Sequence, residues 1–447
     1  MTTEIDLVRS DLEHLIHPLY HPSAHQDPKI WVEGKGSVVK DINGKEYLDG
    51  LSSLWNVNVG HGREELAEAA YTQMKHLAFY SSYTGSTNLP AIHLAEKLSQ
   101  IFYPSINTFF FTSGGAESTE SSIKTARFYW KAKGKPDKIK FISRIRGYHG
   151  VTMAAMSATG LSVYWPMFEP RVPGFSHIES PYPYRFVNTT PELSDGVAAA
   201  NLLEQAILRE GADTVAGFIA EPVQGAGGVI VPQDDYFARI REICDQYEVL
   251  LIADEVITGF GRTGAWFGLE RYGIEPDIAQ FAKGITSGYI PLGGIGVSDA
   301  ISEVINSVSP DKRWMHAFTY SGHPTSCAVA LANIAIIERE GLVAQAASSG
   351  AHLLARLQEL EEMPSVGNVR GLGMMAGVEL VANKETKEPF PTSANVGARV
   401  GSEMMARGLF TRILGDSILL APPLTTSIAQ LDQMVQIIGE SIAVVTG

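Results

Sequence analysis

The sequence is poor in cysteine, in clustered basic residues and in long apolar runs. It has two cysteines, Cys244 and Cys327. They imply no disulfide framework, and neither has a metal-ligand partner at short spacing. Both read as small buried hydrophobes, and the usage fits a reducing cytoplasm. No apolar run approaches the roughly 20 residues that a membrane helix needs, so no membrane partner is expected. Met1 to Asp11 is charged and lacks an apolar centre, so no signal peptide is expected there. Acidic residues outnumber basic ones, 49 against 35, for a formal charge of -14. No dense lysine–arginine cluster offsets that charge, which argues against a nucleic-acid partner. Internal repeats and low-complexity tracts are absent. What is there is ordinary globular material: 447 residues, 45% apolar and 19% charged, enough for one large core and smaller ones.

Three segments are expected. Residues 1–60 read as an N-terminal arm and a hairpin that joins a small domain. The arm carries His14, His17, His21 and His25, but Pro18, Pro22 and Pro28 break any regular ligand spacing. It therefore reads as a proline-rich surface arm, and no metal is expected. Asn43-Gly44 between Ser37–Asp41 and Lys45–Asp49 is a strong hairpin signal. Residues 61–325 alternate apolar strands with helices. Helical periodicity marks Arg63–Leu77, Ala91–Phe102, Glu117–Lys133 and Asp234–Tyr247. Strands are expected at Thr108–Phe111, Lys138–Ile142, Val215–Ala220, Val249–Ala253, Ile278–Phe281 and Gly294–Val297. That alternation predicts an α/β fold, a mostly parallel sheet with helices on both faces. After Pro324 a long helix runs to about Glu340, and 326–447 reads as a smaller α+β domain.

Ligands in such sheets bind at the carboxyl ends of the strands. Glu221 follows one strand, Asp254 and Glu255 another, and Lys283 a third. Ser113-Gly114-Gly115-Ala116 follows a fourth and opens a helix. Small residues at a helix start let backbone N–H groups approach an anion, so this turn is a candidate phosphate cup. It could equally be a plain strand–helix turn. Asp254 could cap a helix or pair with an arginine, or it could face a protonated heterocyclic nitrogen. Pyridoxal 5′-phosphate (PLP) needs such a carboxylate, because a pyridinium is the better electron sink. Lys283 follows an apolar strand and precedes an uncharged stretch through Gly294. A lysine so placed has a depressed pKa and becomes a nucleophilic amine. Tyr148, between Gly147 and His149-Gly150, has room to lie against a planar ring. Gly259-Phe260-Gly261-Arg262-Thr263-Gly264 matches a dinucleotide-binding spacing, but acids separate it from its strand and no helix follows, so it is rejected.

Taken in order, these motifs resemble the class III aminotransferases of PLP fold type I. The resemblance runs from about Pro28 to the C-terminus. Its most specific stretches are Leu54 to Arg63, Arg146 to Gly150, Glu221 to Gly228, Asp254 to Gly264, Ala282-Lys283-Gly284 and Phe318 to Pro324. It implies that Lys283 forms the internal aldimine with PLP and that Asp254 pairs with the ring nitrogen. Tyr148 and Val256 would flank the ring, and Glu221 would join the cofactor-binding set. Gly115 and Ala116 would bind the phosphate. The family often has serine at the Ala116 position, so backbone N–H groups must suffice here. Thr319 would reach the phosphate of a neighbouring subunit's cofactor. That implies a homodimer, or a dimer of dimers, with shared sites.

The substrate side departs from one branch of the family. Many members that use 2-oxoglutarate carry an arginine two residues before Ala421-Pro422-Pro423-Leu424, where this chain has Leu419. Arg412 resembles instead the mobile arginine of the ω-amino acid and amine–pyruvate branch. Trp55 and Tyr83 fall where that branch builds its substrate pocket. The implied reaction moves an amino group from an amine donor to pyruvate, giving alanine, with ping-pong kinetics. Taurine–pyruvate or diamine–pyruvate specialisation stays open, as does a decarboxylase or aminomutase reaction. A nucleotide-dependent oxidoreductase and an inactive binding module are the rivals from other classes.

Overall fold

Val215–Ala220 and Leu250–Asp254 are continuous runs in which every residue is buried. Such runs occur where a sheet is covered on both faces. The computed structural model describes residues 4–19, 21, 23 and 25–447, so Pro22 lies outside it. In chain order the strands are β1 Trp31–Lys35, β2 Val38–Asp41, β3 Glu46–Asp49, β4 Ile106–Thr112, β5 Lys140–Arg144, β6 Phe175–Ile178 and β7 Val215–Ala220. Then come β8 Leu250–Asp254, β9 Ile278–Phe281, β10 Gly293–Ser298, β11 Val366–Leu372, β12 Met375–Leu380, β13 Leu409–Phe410, β14 Arg412–Leu414 and β15 Ser417–Leu420.

The central sheet has seven strands in the order β4-β10-β9-β8-β7-β5-β6. The neighbours from β9 through β6 pair in parallel, and β10 runs antiparallel to both β9 and β4. Two reversals leave β4 pointing the same way as β9. The ends of β4, β5, β7, β8 and β9 therefore meet on one edge. Alternate residues split between two cores. Ile219, Ile252, Ile278 and Ile295 meet Ile123, Ala126 and Trp130 of helix Gly115–Ala132. Phe218, Leu251, Ala253 and Phe281 belong to the larger core shared with helices Asp195–Glu210 and Tyr236–Gln246. Each fully buried Leu, Ile or Phe among them contributes about 1.5–3 kcal/mol.

Two smaller sheets flank this one. The hairpin at Asn43-Gly44 forms as expected, with Val38 opposite Leu48. Its strand β3 pairs in parallel with β13, so the first 60 residues are tied to the far end of the chain. The other sheet has the order β11-β12-β15-β14.

Some details differ from the sequence pattern. β5 begins at Lys140, not Lys138: the Lys138 backbone N–H bonds back to Lys135 O in a turn, while its ammonium meets the carbonyls of Ala212, Val215, Tyr247 and Glu248. Glu4–His14 is a helix with no buried residue, where an irregular arm was expected. Glu4 and Asp6 at its start and His14 at its end suit the helix dipole. Among the described residues no helix is long and apolar enough to cross a membrane.

Candidate active site

The helix after β4 starts at Gly115, two residues earlier than the apolar pattern suggests. Its N-terminal N–H groups therefore belong to the glycine turn, on the edge where the other strands end. Close packing explains the small residues. A Cβ added at Gly115 would sit 3.0 Å from Val256 Cγ1. Gly150 has φ +109, and a Cβ there would strike Ala116 Cβ at 2.7 Å. The turn, the Tyr148 loop and Val256 thus converge. A Cβ on Gly114 would meet nothing within 4 Å, so the space before the helix start is open.

Asp254 ends β8 and is 3% exposed. Its Oδ2 lies 2.7 Å from His149 Nδ1, and its Oδ1 accepts the Val256 N–H at 3.1 Å. The carboxylate is buried yet partnered, as a buried charge must be. Each oxygen keeps a lone pair for a further N–H. Glu221, also 3% exposed, accepts the N–H of Tyr148 at Oε1 (3.0 Å) and that of Gly225 at Oε2 (2.9 Å). Burial raises its pKa, and Asp254 nearby adds to the rise. Glu221 thereby fixes the backbone on which Tyr148 sits. The Tyr148 ring lies 5.8 Å from that of Tyr164, tilted by 53°.

Lys283 follows β9, is half-buried and has φ +47. Burial pushes its ammonium down to about 8. Asp254 and Glu221 act against that shift, and Arg412 acts with it. At pH 7.5 a pKa near 8 leaves about a quarter of the amine neutral, against roughly 0.1% for an ordinary lysine. Arg412 also acts on Tyr148, and among the described residues it has no salt-bridge partner. In the β14–β15 ladder Arg412 stands directly opposite Leu419. Opposite residues have Cα atoms about 4.5–5.5 Å apart and side chains on one face. A guanidinium seven residues away in sequence thus neighbours the position where 2-oxoglutarate users are expected to carry theirs. Leu419 is fully buried in an apolar cluster with Trp55, Val223, Ile257 and Met375.

The single chain brings together Gly115, Ala116, Tyr148, Glu221, Asp254, Val256, Lys283 and Arg412 through these contacts and fields. Trp55 is 2% exposed in the Leu419 cluster, and its indole Nε1 is buried without a partner. It is walled in rather than facing an open pocket. Tyr83 is 53% exposed and Thr319 is exposed, and no hydrogen bond or ion pair links either to the Lys283 cluster among the described residues. Their two loops adjoin each other: Phe79 packs on Tyr320 at 5.8 Å, and Asn88 Nδ2 donates to Gly322 O at 2.8 Å. The pattern overlooked His149 and Tyr164. His149 stood in the same Gly-Tyr-His-Gly motif as Tyr148, and an imidazole beside a strand end was a usable signal. Tyr164 had none.

The rejected glycine motif is a structural turn. Arg262 in it is fully buried and donates to Asn58 Oδ1 at 2.7 Å and Met374 O at 3.2 Å. A cavity of about 1000 Å³, lined in part by Arg146, Gly160, Ser162 and Ile413, contains none of the predicted site residues.

A parallel-sheet edge with an open helix start, a buried aspartate and a lysine of lowered pKa describes an enzyme of the PLP-dependent α/β type. The family model for class III aminotransferases matches residues 20–442, and the chain belongs to that family. A putrescine–pyruvate aminotransferase of Pseudomonas aeruginosa is 42% identical over 95% of this chain and 92% of its own. A diaminobutyrate–2-oxoglutarate transaminase of Halomonas elongata is 41% identical over 97% and 95%. The solved structure of an (S)-enantioselective ω-transaminase from Thermomicrobium roseum is 49% identical, covers 99% of both chains and superposes with a TM-score of 0.96. The chain is an aminotransferase, and its cofactor is PLP. The residues fit that group: an open helix start for a phosphate, and a carboxylate with lone pairs to spare for a ring N–H.

Proposed function

We propose that this enzyme moves an amino group from an amine or ω-amino acid to pyruvate, releasing alanine with ping-pong kinetics. The observation that carries this reading is the pairing of Arg412 with Leu419. It sets a guanidinium that acts on Lys283, with no salt-bridge partner among the described residues, next to an apolar residue at the expected 2-oxoglutarate position. One cation matches one carboxylate, and a planar fork suits an α-keto acid.

PLP, when bound, supplies the electrophilic carbonyl and the electron sink. In the proposal Gly115 and Ala116 N–H groups hold its phosphate. Tyr148 and Val256 flank its ring, and Glu221 holds the Tyr148 loop in register. Asp254, steadied by His149, presents negative charge to the ring nitrogen. The Lys283 Nζ, poised near neutral pH, removes the proton from the donor's amine-bearing carbon. Arg412 binds the carboxylate of pyruvate and turns aside for donors that lack one. Trp55, through its neighbours Ile257 and Leu419, sets the width of the donor pocket.

We also propose a homodimer in which Thr319 and Tyr83 of each chain serve the partner's site. Their adjoining loops support this, with an exposed apolar set that includes Tyr71, Met74, Tyr80, Leu89 and Tyr320. Large apolar side chains left exposed in such numbers are what a partner surface would cover. A division near residues 60 and 325 is proposed as well, supported by the three separate sheets. A cytoplasmic location is proposed from the two unpaired thiols.

The test is a donor panel run with pyruvate and, separately, with 2-oxoglutarate. Alanine should form with at least one diamine, ω-amino acid or aryl amine, and glutamate should form far more slowly. Faster glutamate than alanine would overturn the acceptor assignment, as the H. elongata relative's acceptor would suggest.

A further inference from the structure

Proline spacing in the arm offers no regular ligand pattern, yet folding brings two of its histidines to one carboxylate. His17 Nε2 lies 3.0 Å and His25 Nε2 3.1 Å from Asp11 Oδ2. One ligand atom from each of the three lies within 4.8 Å of the others. The two rings are 3.9 Å apart between centroids, tilted by 32°. The side chains are 20% to 25% exposed. The other arm histidines point elsewhere: His14 is 72% exposed, and His21 Nδ1 meets Ser23 Oγ at 2.7 Å.

We propose that Asp11, His17 and His25 form a site for a divalent transition-metal ion, Zn2+ in the first instance. The donor set is two imidazole nitrogens and one carboxylate oxygen. Zn2+ binds such ligands at about 2.0–2.2 Å, which gives a tetrahedron with edges of about 3.3 Å. The two Asp11–His edges, 3.0 and 3.1 Å, need to open by only a few tenths of an ångström. Water completes the shell. Mg2+ and Ca2+ prefer oxygen shells and are disfavoured here. On binding, each Nε2 loses any proton it carries and offers its lone pair. The ion would tie helix Glu4–His14, which buries no residue of its own, to the chain 14 residues beyond Asp11. The site is therefore a staple for the arm. It is independent of Lys283 chemistry.

The competing arrangement is a carboxylate that accepts two imidazole N–H groups with no ion. Calorimetry on the untagged, chelator-treated holoenzyme separates the two. Wild type should bind one Zn2+ per chain, and Co2+ in its place should give a visible d–d band. Asp11→Asn, His17→Gln and His25→Gln should each weaken Zn2+ binding by at least about 100-fold, the upper end of what losing even a group that only supports a ligand costs. His14→Gln and His21→Gln should change it little. Zn2+ should also slow proteolysis within the arm of wild type and not of His25→Gln. All of these variants should keep wild-type aminotransferase activity. No Zn2+ binding by wild type, or equal binding by the Asp11→Asn/His17→Gln/His25→Gln variant, would overturn the proposal.

Discussion

Replacing Arg412 with alanine is the most informative single change to the acceptor site. A charge-assisted hydrogen-bonded pair in a protein contributes about 1.5–3 kcal/mol. Losing it should raise the Michaelis constant for pyruvate roughly 10- to 150-fold. Arg412 is half-buried and has no salt-bridge partner among the described residues, so the change should alter stability by no more than about 0.5 kcal/mol. A rise in the Michaelis constant would then not reflect unfolding. A second signature follows from the field at Lys283. Arg412 lowers the Lys283 pKa, so its removal should raise that pKa above about 8. Initial rates of alanine formation over a grid of pyruvate and amine concentrations check the first effect, with an amine donor that carries no carboxylate. Such a donor should lose less than about threefold in kcat/KM, because it makes no ion pair with Arg412. Arg412→Lys should fall between, since it keeps the charge and loses the fork. Equal losses for pyruvate and for the amine would refute the carboxylate assignment.

Other outcomes follow from the same geometry. Covalent capture of PLP by the cofactor-free protein, trapped with borohydride, should rise with pH through about 8, because only the neutral Lys283 amine attacks. A midpoint near that of ordinary lysine, or capture by Lys283→Ala, would contradict this. His149→Ala removes the 2.7 Å partner of the buried Asp254 and should cut kcat roughly 10- to 100-fold, with a stability loss of about 1–3 kcal/mol in the cofactor-free protein. An unchanged kcat would show that His149 does not steady that carboxylate. Gly115→Ala should weaken PLP binding through its 3.0 Å approach to Val256, and Val256→Ala in the same chain should restore it. Fluorescence titration with PLP would show whether the two changes couple. If the proposed homodimer holds, Met74→Glu, in the exposed apolar set, should give a monomer in sedimentation runs and abolish turnover; an active monomer would contradict shared sites.

Much of this molecule is legible in the chain itself. Buried strands and amphipathic helices are local patterns, so the alternation of elements and the residues at each strand end follow from spacing alone. Lys283, Asp254 and the Gly114-Gly115 turn stand where short motifs place them. Pairing is not a local property, and it was decided only by the fold. β10 runs antiparallel to both of its neighbours, a direction that no local pattern sets. Arg412 faces Leu419 through a ladder register that no window of sequence contains. Trp55 is closed in by Val223 and Met375, which lie 168 and 320 positions further along the chain. His17 and His25 reach one oxygen of Asp11 although prolines hide any ligand spacing. The reason is the same each time: hydrophobic period and turn chemistry act over a few residues, whereas the meeting of distant side chains is settled by how whole elements pack.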